Sequence, residues 1–225
     1  MIYMAEIVEQ FFSGKYEEKI NKNILFFSFS EEEVAAYVEN VINEPLSRFL
    51  AYMDGLSEKE RIEARDVFQF SNLDDGTAIF CEKMKKTDNP GMKFLDIGRI
   101  LLDDGKERKD GALVKYGENH VKTAEMLGLS FELCNTYYLS GIGYIYADLS
   151  REKQEKFLTR LVLRNKLVTR LYQASRNGRV NMREFLYMLS DSTYIRRRSN
   201  VKAVLGILMK SDEVDFTDII ELIQM

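Results

Sequence analysis

The sequence predicts a mainly α-helical chain with short β-hairpins, built as two helix-turn-helix modules joined by a long helix and preceded by a helical N-terminal region. Three observations predict it. Apolar residues recur at three- and four-residue spacing through most of the chain, and strand-type alternation is confined to short runs. Only two prolines occur in 225 residues, so helices meet few breaks. Positive charge is concentrated: residues 151–202 hold 14 Lys or Arg against four Asp or Glu, a local net of +10 in a chain whose formal net charge is −4. The rest of the chain therefore sums to −14. A protein that is acidic overall but gathers its cations this way implies an anionic partner.

Composition excludes several classes of function. A content of 45% hydrophobic and 30% charged residues is that of a globular protein. No apolar run approaches the roughly 20 residues that span a bilayer, so no membrane partner is expected. The opening MIYMAEIVEQFF carries Glu6 and Glu9 and no basic segment, unlike a secretory signal. Cys81 and Cys134 lack CxxC spacing, which suits reduced thiols and a cytoplasmic location. His120 is the only histidine, which removes HExxH zinc sites, Cys2His2 fingers and any mechanism needing two imidazoles. GxxxxGK[ST], GxGxxG and GxSxG are absent, and no cofactor is expected.

Residues 1–90 form the expected acidic helical region, with 18 acids against 10 bases. Ser30 and Glu33 make a capping box that opens a helix to about Asn43. Pro45 suits the start of a helix from about Leu46 to Met53, closed by Gly55. Ser57 and Glu60 form a second capping box before a helix through about Phe70. Asp74-Asp75-Gly76 reads as a turn, followed by a short helix to Lys86. These helices read as solvated packing elements or as a dock for a partner protein.

TDNPG, residues 87–91, is the best boundary signal, because Asn-Pro and Pro-Gly both favour turns. The next module spans residues 91–149. MKFLDIGRILL places Phe94, Ile97 and Leu101 on one helical face, and DDGKERKDG reads as a polar loop. YGENHVKTAEMLGLS reads as a short helix with Val121, Ala124 and Leu127 inward and Gly128 as the C′ residue. FELC and YYL are strand-type runs with Asn135-Thr136 as a tight turn between them. Helix, helix and hairpin is the element order of a winged helix. Ser140-Gly141 then opens a short helix to about Leu149.

Residues 150–176 are expected as one helix capped by Ser150 and running to about Ser175. Phe157, Leu158, Leu161, Val168 and Tyr172 form its apolar face, and Lys153, Lys156, Arg160 and Arg164 form a basic stripe beside it. The last module covers 177–225. Asn181 and Glu184 resemble a capping box for a helix at 182–189, with Met182, Phe185, Leu186 and Leu189 on its buried side. A break at Ser190–Thr193 leads to a helix from about 195 to 209 with Val201, Val204, Leu205 and Leu208 on its apolar side. A short strand at Val214–Phe216 and a Thr217-capped helix close the chain.

The pair of helices at 182–189 and 195–209 is the strongest functional pattern. A helix-turn-helix braces with its first helix and places the N-terminal end of its second in the major groove. Arg196, Arg197 and Arg198 fall there, followed by Ser199, Asn200 and Lys202. Three cations at a helix start oppose the helix dipole, and phosphates relieve that conflict; Arg and Asn can also read guanine and adenine edges. The plain alternatives are a solvated basic turn or Arg residues pairing the acidic N-terminal helices. In the first module Lys115, Asn119, His120 and Lys122 are the candidate groove-facing residues, although a lone His is more often structural. The stripe from Lys153 to Arg164 suits phosphate positioning, which is independent of sequence.

A nuclease is the catalytic alternative. Mg²⁺-dependent nucleases use carboxylates and a lysine, often as Asp followed by Glu-x-Lys. Asp96 with Glu107 and Lys109 matches that spacing, but on a helix pattern and a Gly-bounded loop, and such spacing arises easily in a chain with 36 acids and 32 bases.

KYGENHVKTAEMLGLSFELCNTYYLSGIGYIYADL, LTRLVLRNKLV and TYIRRRSNVKAVLGIL together resemble the tandem winged-helix DNA-binding components of bacterial restriction and phage-defence systems, over about residues 92–210. The resemblance implies two winged helices joined by the long helix, double-stranded DNA as partner, and a specificity or regulatory role beside a nuclease or ATPase subunit. Winged-helix proteins often bind DNA as two-fold dimers, so a homodimer through the acidic helices is a further expectation. A protein-interaction module without DNA contact is the remaining alternative.

Overall fold

The computed structural model describes residues 29–45, 47, 48, 51, 67, 68, 72–87, 91–175, 180, 181, 191–209, 223 and 224. They are mainly helical and include a small three-stranded antiparallel sheet, which agrees with the predicted class. The described residues divide between two compact units. One lies within Met1–Asn40 and Asp75–Gln154, the other within Val41–Asp74 and Glu155–Met225. These limits differ from boundaries at 90, 149 and 176, and the turn signal at 87–91 lies inside the first unit.

Helix α1 (Glu31–Ile42) begins at the expected capping box. Ser30 N donates to Glu33 at 2.7 Å and Glu33 N donates to the Ser30 hydroxyl at 3.2 Å, which satisfies two amides that no helical turn precedes. Val34, Val38, Val41 and Ile42 are buried, the three- and four-residue spacing of an amphipathic helix. Helix α2 (Leu73–Lys85) starts earlier than expected. Asp74, Asp75 and Gly76 belong to its first turn instead of a preceding loop, and the Asp75 carboxylate there complements the helix dipole.

Strand β1 (Gly91–Met92) leads into helices α3 (Phe94–Leu101) and α4 (Asp110–Met126), then strands β2 (Ser130–Leu133) and β3 (Thr136–Leu139) and helix α5 (Gly141–Tyr146). β3 is central in the sheet, antiparallel to both β1 and β2. α4 is longer than the short helix read from the sequence, because Asp110 and Gly111 are helical and not loop. Asp110 reaches α3, with its carboxylate 3.5 Å from the Arg99 guanidinium. A Cβ at Gly117 would lie 2.0 Å from the Phe94 carbonyl oxygen, and one at Gly98 would lie 2.1 Å from that of Leu113. The two backbones approach closely only because both positions are glycine.

The C-terminus of α4 is a Schellman motif, with Leu129 N donating to Ala124 O at 2.8 Å and Gly128 N to Glu125 O at 2.9 Å. Gly128 has φ +72°, as its assignment to C′ requires. The hairpin turn is displaced by one residue from expectation. Leu133 pairs with Thr136, so Cys134 and Asn135 form the loop, with φ of 51° and 57°. Two left-handed residues make the tight turn whose twist fits a hairpin. The α3–α4 connection is tied by Arg108, which donates to both Asp104 carboxylate oxygens at 2.6 Å and to Leu102 O at 3.2 Å. That contact holds the Asp104 carboxyl well below the usual carboxylate range.

The expected single helix 150–176 is two helices, α6 (Arg151–Leu163) and α7 (Lys166–Ser175). Asn165 makes the break: its side chain accepts from Leu167 N at 2.9 Å and caps α7. Phe157, Leu158, Leu161, Val168 and Tyr172 are all buried, as their spacing predicts. Strand β4 (Val180–Asn181) pairs in parallel with β5 (Ile223–Gln224), so residues 223 and 224 are strand where a terminal helix was expected. Helix α8 (Asp191–Met209) lies between them in sequence. The expected helix at 182–189, the second capping box at Ser57 and Glu60, and the strand at 214–216 lie outside the described residues.

Candidate nucleic-acid interface

α8 begins at Asp191, several residues before the start near 195 that the sequence suggests. Its arginines consequently occupy the second turn and not the helix end, and the conflict with the helix dipole that Arg196–Arg198 implied largely disappears. Arg196 is helical, and its side chain lies outside the described residues. Arg198, Ser199 and Lys202 are exposed and Arg197 is half-buried. Residues 198 and 202 stand one turn apart on a single face. Neither makes an ion pair with a described residue, so that face carries two cations available to an outside anion. Beside that face Val201, Val204 and Leu205 are buried, as their spacing predicts.

Asn200 departs from the expected reader role. It is buried, and its Nδ2 donates at 2.7 Å to the Phe68 carbonyl, 132 residues away in sequence. It fixes α8 within its own unit, and its amide is committed before any base could reach it.

In α4 the candidates are placed differently. Lys115 is exposed and pairs with Glu118 at 2.8 Å. Lys122 is half-buried between Glu125 at 2.7 Å and Glu132 at 3.4 Å, and its ammonium lies 5.0 Å from the Tyr137 ring centroid. Burial opposes its charge, but Glu125, Tyr137 and Glu132 together outweigh this and leave its pKa raised. Tyr137 donates to Glu132 at 2.9 Å and stacks on Phe94 at 4.5 Å, which closes the cluster around Lys122. Asn119 is half-buried. His120 is 4% exposed and is not groove-facing. Its Nδ1 lies 2.9 Å from the Tyr116 carbonyl, an acceptor that places the proton on Nδ1, and burial lowers its pKa. A structural role fits this histidine.

The expected stripe on α6 is not one surface. Lys153 pairs with Glu39 and Arg164 with Glu44, the latter at 2.6 Å. Arg160 is only 7% exposed, and Lys156 is exposed. Arg151, which the stripe omitted, pairs with Asp75 at 2.6 Å. The acidic N-terminal helices thus meet the first half of the basic stretch. Their charge surplus was the sequence signal for this, and the i,i+3 glutamates after Lys115 and Lys122 were legible as pairs.

The nuclease candidates stand apart in role. Asp96 lies on α3 and pairs with Arg99 at 3.4 Å. Glu107 is exposed in the α3–α4 loop, and Lys109 precedes the first turn of α4. Among the described residues no group of three His, Cys, Asp or Glu side chains is arranged to hold a metal ion, and no helix is long and apolar enough to cross a membrane. No protein-family model, no curated protein and no solved structure matches the chain.

Proposed function

We propose that this protein binds double-stranded DNA, with the outward face of α8 as its principal contact and a winged helix as its first module. The observation that carries the reading is the pair Arg198 and Lys202, exposed one helical turn apart and without an ion pair to a described residue, in the stretch that holds the chain's surplus of positive charge. The winged-helix part is supported by the order α2, β1, α3, α4, β2, β3 with β1 and β2 flanking β3. The resemblance to DNA-binding components of restriction and phage-defence systems supplies the setting, a specificity or regulatory component acting beside a nuclease or ATPase subunit.

A mobility shift with random duplex across a salt series tests this. Each phosphate contact contributes about −0.9 to the slope of log affinity against log salt, so Arg198→Ala with Lys202→Ala should flatten the slope by about 1.8. Unchanged affinity of that variant at about 150 mM salt sinks the assignment. One observation favours a second reading. The lysines of α4 are each neutralised by a glutamate three residues on, and a charge-balanced helix suits a protein partner better than phosphate. A 1:1 complex with a co-expressed protein, indifferent to competitor DNA, would assign the first module to that role.

A further inference from the structure

We infer that the ion pairs Lys153–Glu39 and Arg151–Asp75 are an autoinhibitory contact: the two carboxylates occupy cations on α6 that would otherwise bind DNA phosphates. This rests on the DNA-binding reading and adds a regulatory element to it. All four residues belong to one compact unit. Glu39 on α1 meets Lys153 across 114 residues of sequence, and Asp75 in the first turn of α2 meets Arg151 across 76, with the Arg151 Nη2 at 2.6 Å. Arg151, Lys153 and Lys156 are exposed on α6, together with Glu152 and Glu155. With Glu39 and Asp75 in place this group of side chains has a net charge of −1; without those two carboxylates it is +1. The contact therefore offsets two positive charges of this group.

Exposure decides which pairs can exchange. The side chains of Lys153 and Glu39 are 46% and 42% exposed, and those of Arg151 and Asp75 are 42% and 66% exposed. Pairs so open to water are weak, and a phosphate, which is also an oxygen anion, can take the place of either carboxylate. Arg164 and Glu44 differ, at 22% and 16% exposed. Separating that pair would strand charge in a desolvated position, so it remains closed. The latent patch is thus Arg151 and Lys153, and Arg164 lies outside it.

The experiment measures duplex affinity by mobility shift for the full chain and for Glu39→Gln with Asp75→Asn. Removing both carboxylates should tighten binding about tenfold at about 100 mM salt and steepen the salt slope by up to about 1.8, the contribution of two phosphate contacts. A charge-matched control, Asp103→Asn with Glu107→Gln, measures the effect of net charge alone. Adding Arg151→Gln and Lys153→Gln to the first variant should abolish the gain. Thermal melts verify that every variant is folded. A gain no larger than the control's, or one that survives loss of the two cations, overturns the inference while leaving DNA binding by α8 intact. If neither the wild type nor any variant binds duplex, the DNA reading fails and the inference fails with it.

Discussion

Helices α4 and α8 carry similar equipment: basic side chains on the surface, apolar residues beneath, and a glycine in the interior. They use it in opposite ways. In α4 the lysines are neutralised by Glu118, Glu125 and Glu132, and Gly117 is pressed against the backbone of α3. In α8 Arg198 and Lys202 have no ion pair to a described residue, and a Cβ at Gly206 would meet nothing within 4 Å among the described residues. α4 is committed to its own unit, while α8 keeps a face uncommitted. Where a helix spends its charges separates a candidate reader from a packing element better than the number of charges does.

The glycines provide the strongest test of that contrast. Gly117→Ala must push α4 away from the Phe94 carbonyl, which should destabilise the fold by about 3 kcal/mol in urea denaturation. A loss below about 0.5 kcal/mol would mean that α3 and α4 are less tightly seated than described. The same substitution in α8 should have the opposite sign. Gly206→Ala replaces a poor helix former in open space and should stabilise by about 1 kcal/mol.

The cations sharpen the comparison on the binding side. Lys115→Gln with Lys122→Gln should change duplex affinity less than twofold, against the several-fold loss expected for Arg198→Ala with Lys202→Ala. Equal losses from the two double variants would erase the distinction between the helices.

The smallest effect is a pH dependence at His120. Burial lowers its pKa in the folded protein below the ordinary imidazole value of about 6.5, so at mildly acidic pH the unfolded chain binds the proton more readily than the folded one. The stability it contributes is full above about pH 6.5 and is lost as pH falls from there toward the folded pKa. Urea midpoints between about pH 7.5 and 5 should decline more steeply for wild type than for His120→Asn, whose amide can still donate to Tyr116. Identical profiles would show that the imidazole is not the titrating group.

Much of the local structure was legible in the sequence because it depends on neighbours in the chain. The Ser30–Glu33 capping box, Gly128 as the C′ residue, the short strands of the hairpin and the buried spacing of Val201, Val204 and Leu205 all follow from interactions within a few residues. The misplacements have physical causes of longer range. Asp110 and Gly111 look like turn residues, yet both are helical, and Asp110 meets Arg99 of α3 from 11 residues away. The break at Asn165 is hidden in the sequence because the apolar spacing continues across it, while the Asn side chain caps the second helix. Cys134 gave no turn signal, although it takes a left-handed conformation in the two-residue loop.

The sequence by itself determined the mainly helical class, the helix caps, and the existence of a strongly basic stretch in an acidic chain, since all three are properties of composition and of spacing along one helix or turn. Only the tertiary structure decided which cations remain available. Glu39, Asp75 and Glu44 reach Lys153, Arg151 and Arg164 across 114, 76 and 120 residues, and Asn200 reaches Phe68 across 132. Such pairings depend on where the fold brings distant segments, because Coulombic and hydrogen-bond partners are selected by distance in space and not by distance along the chain.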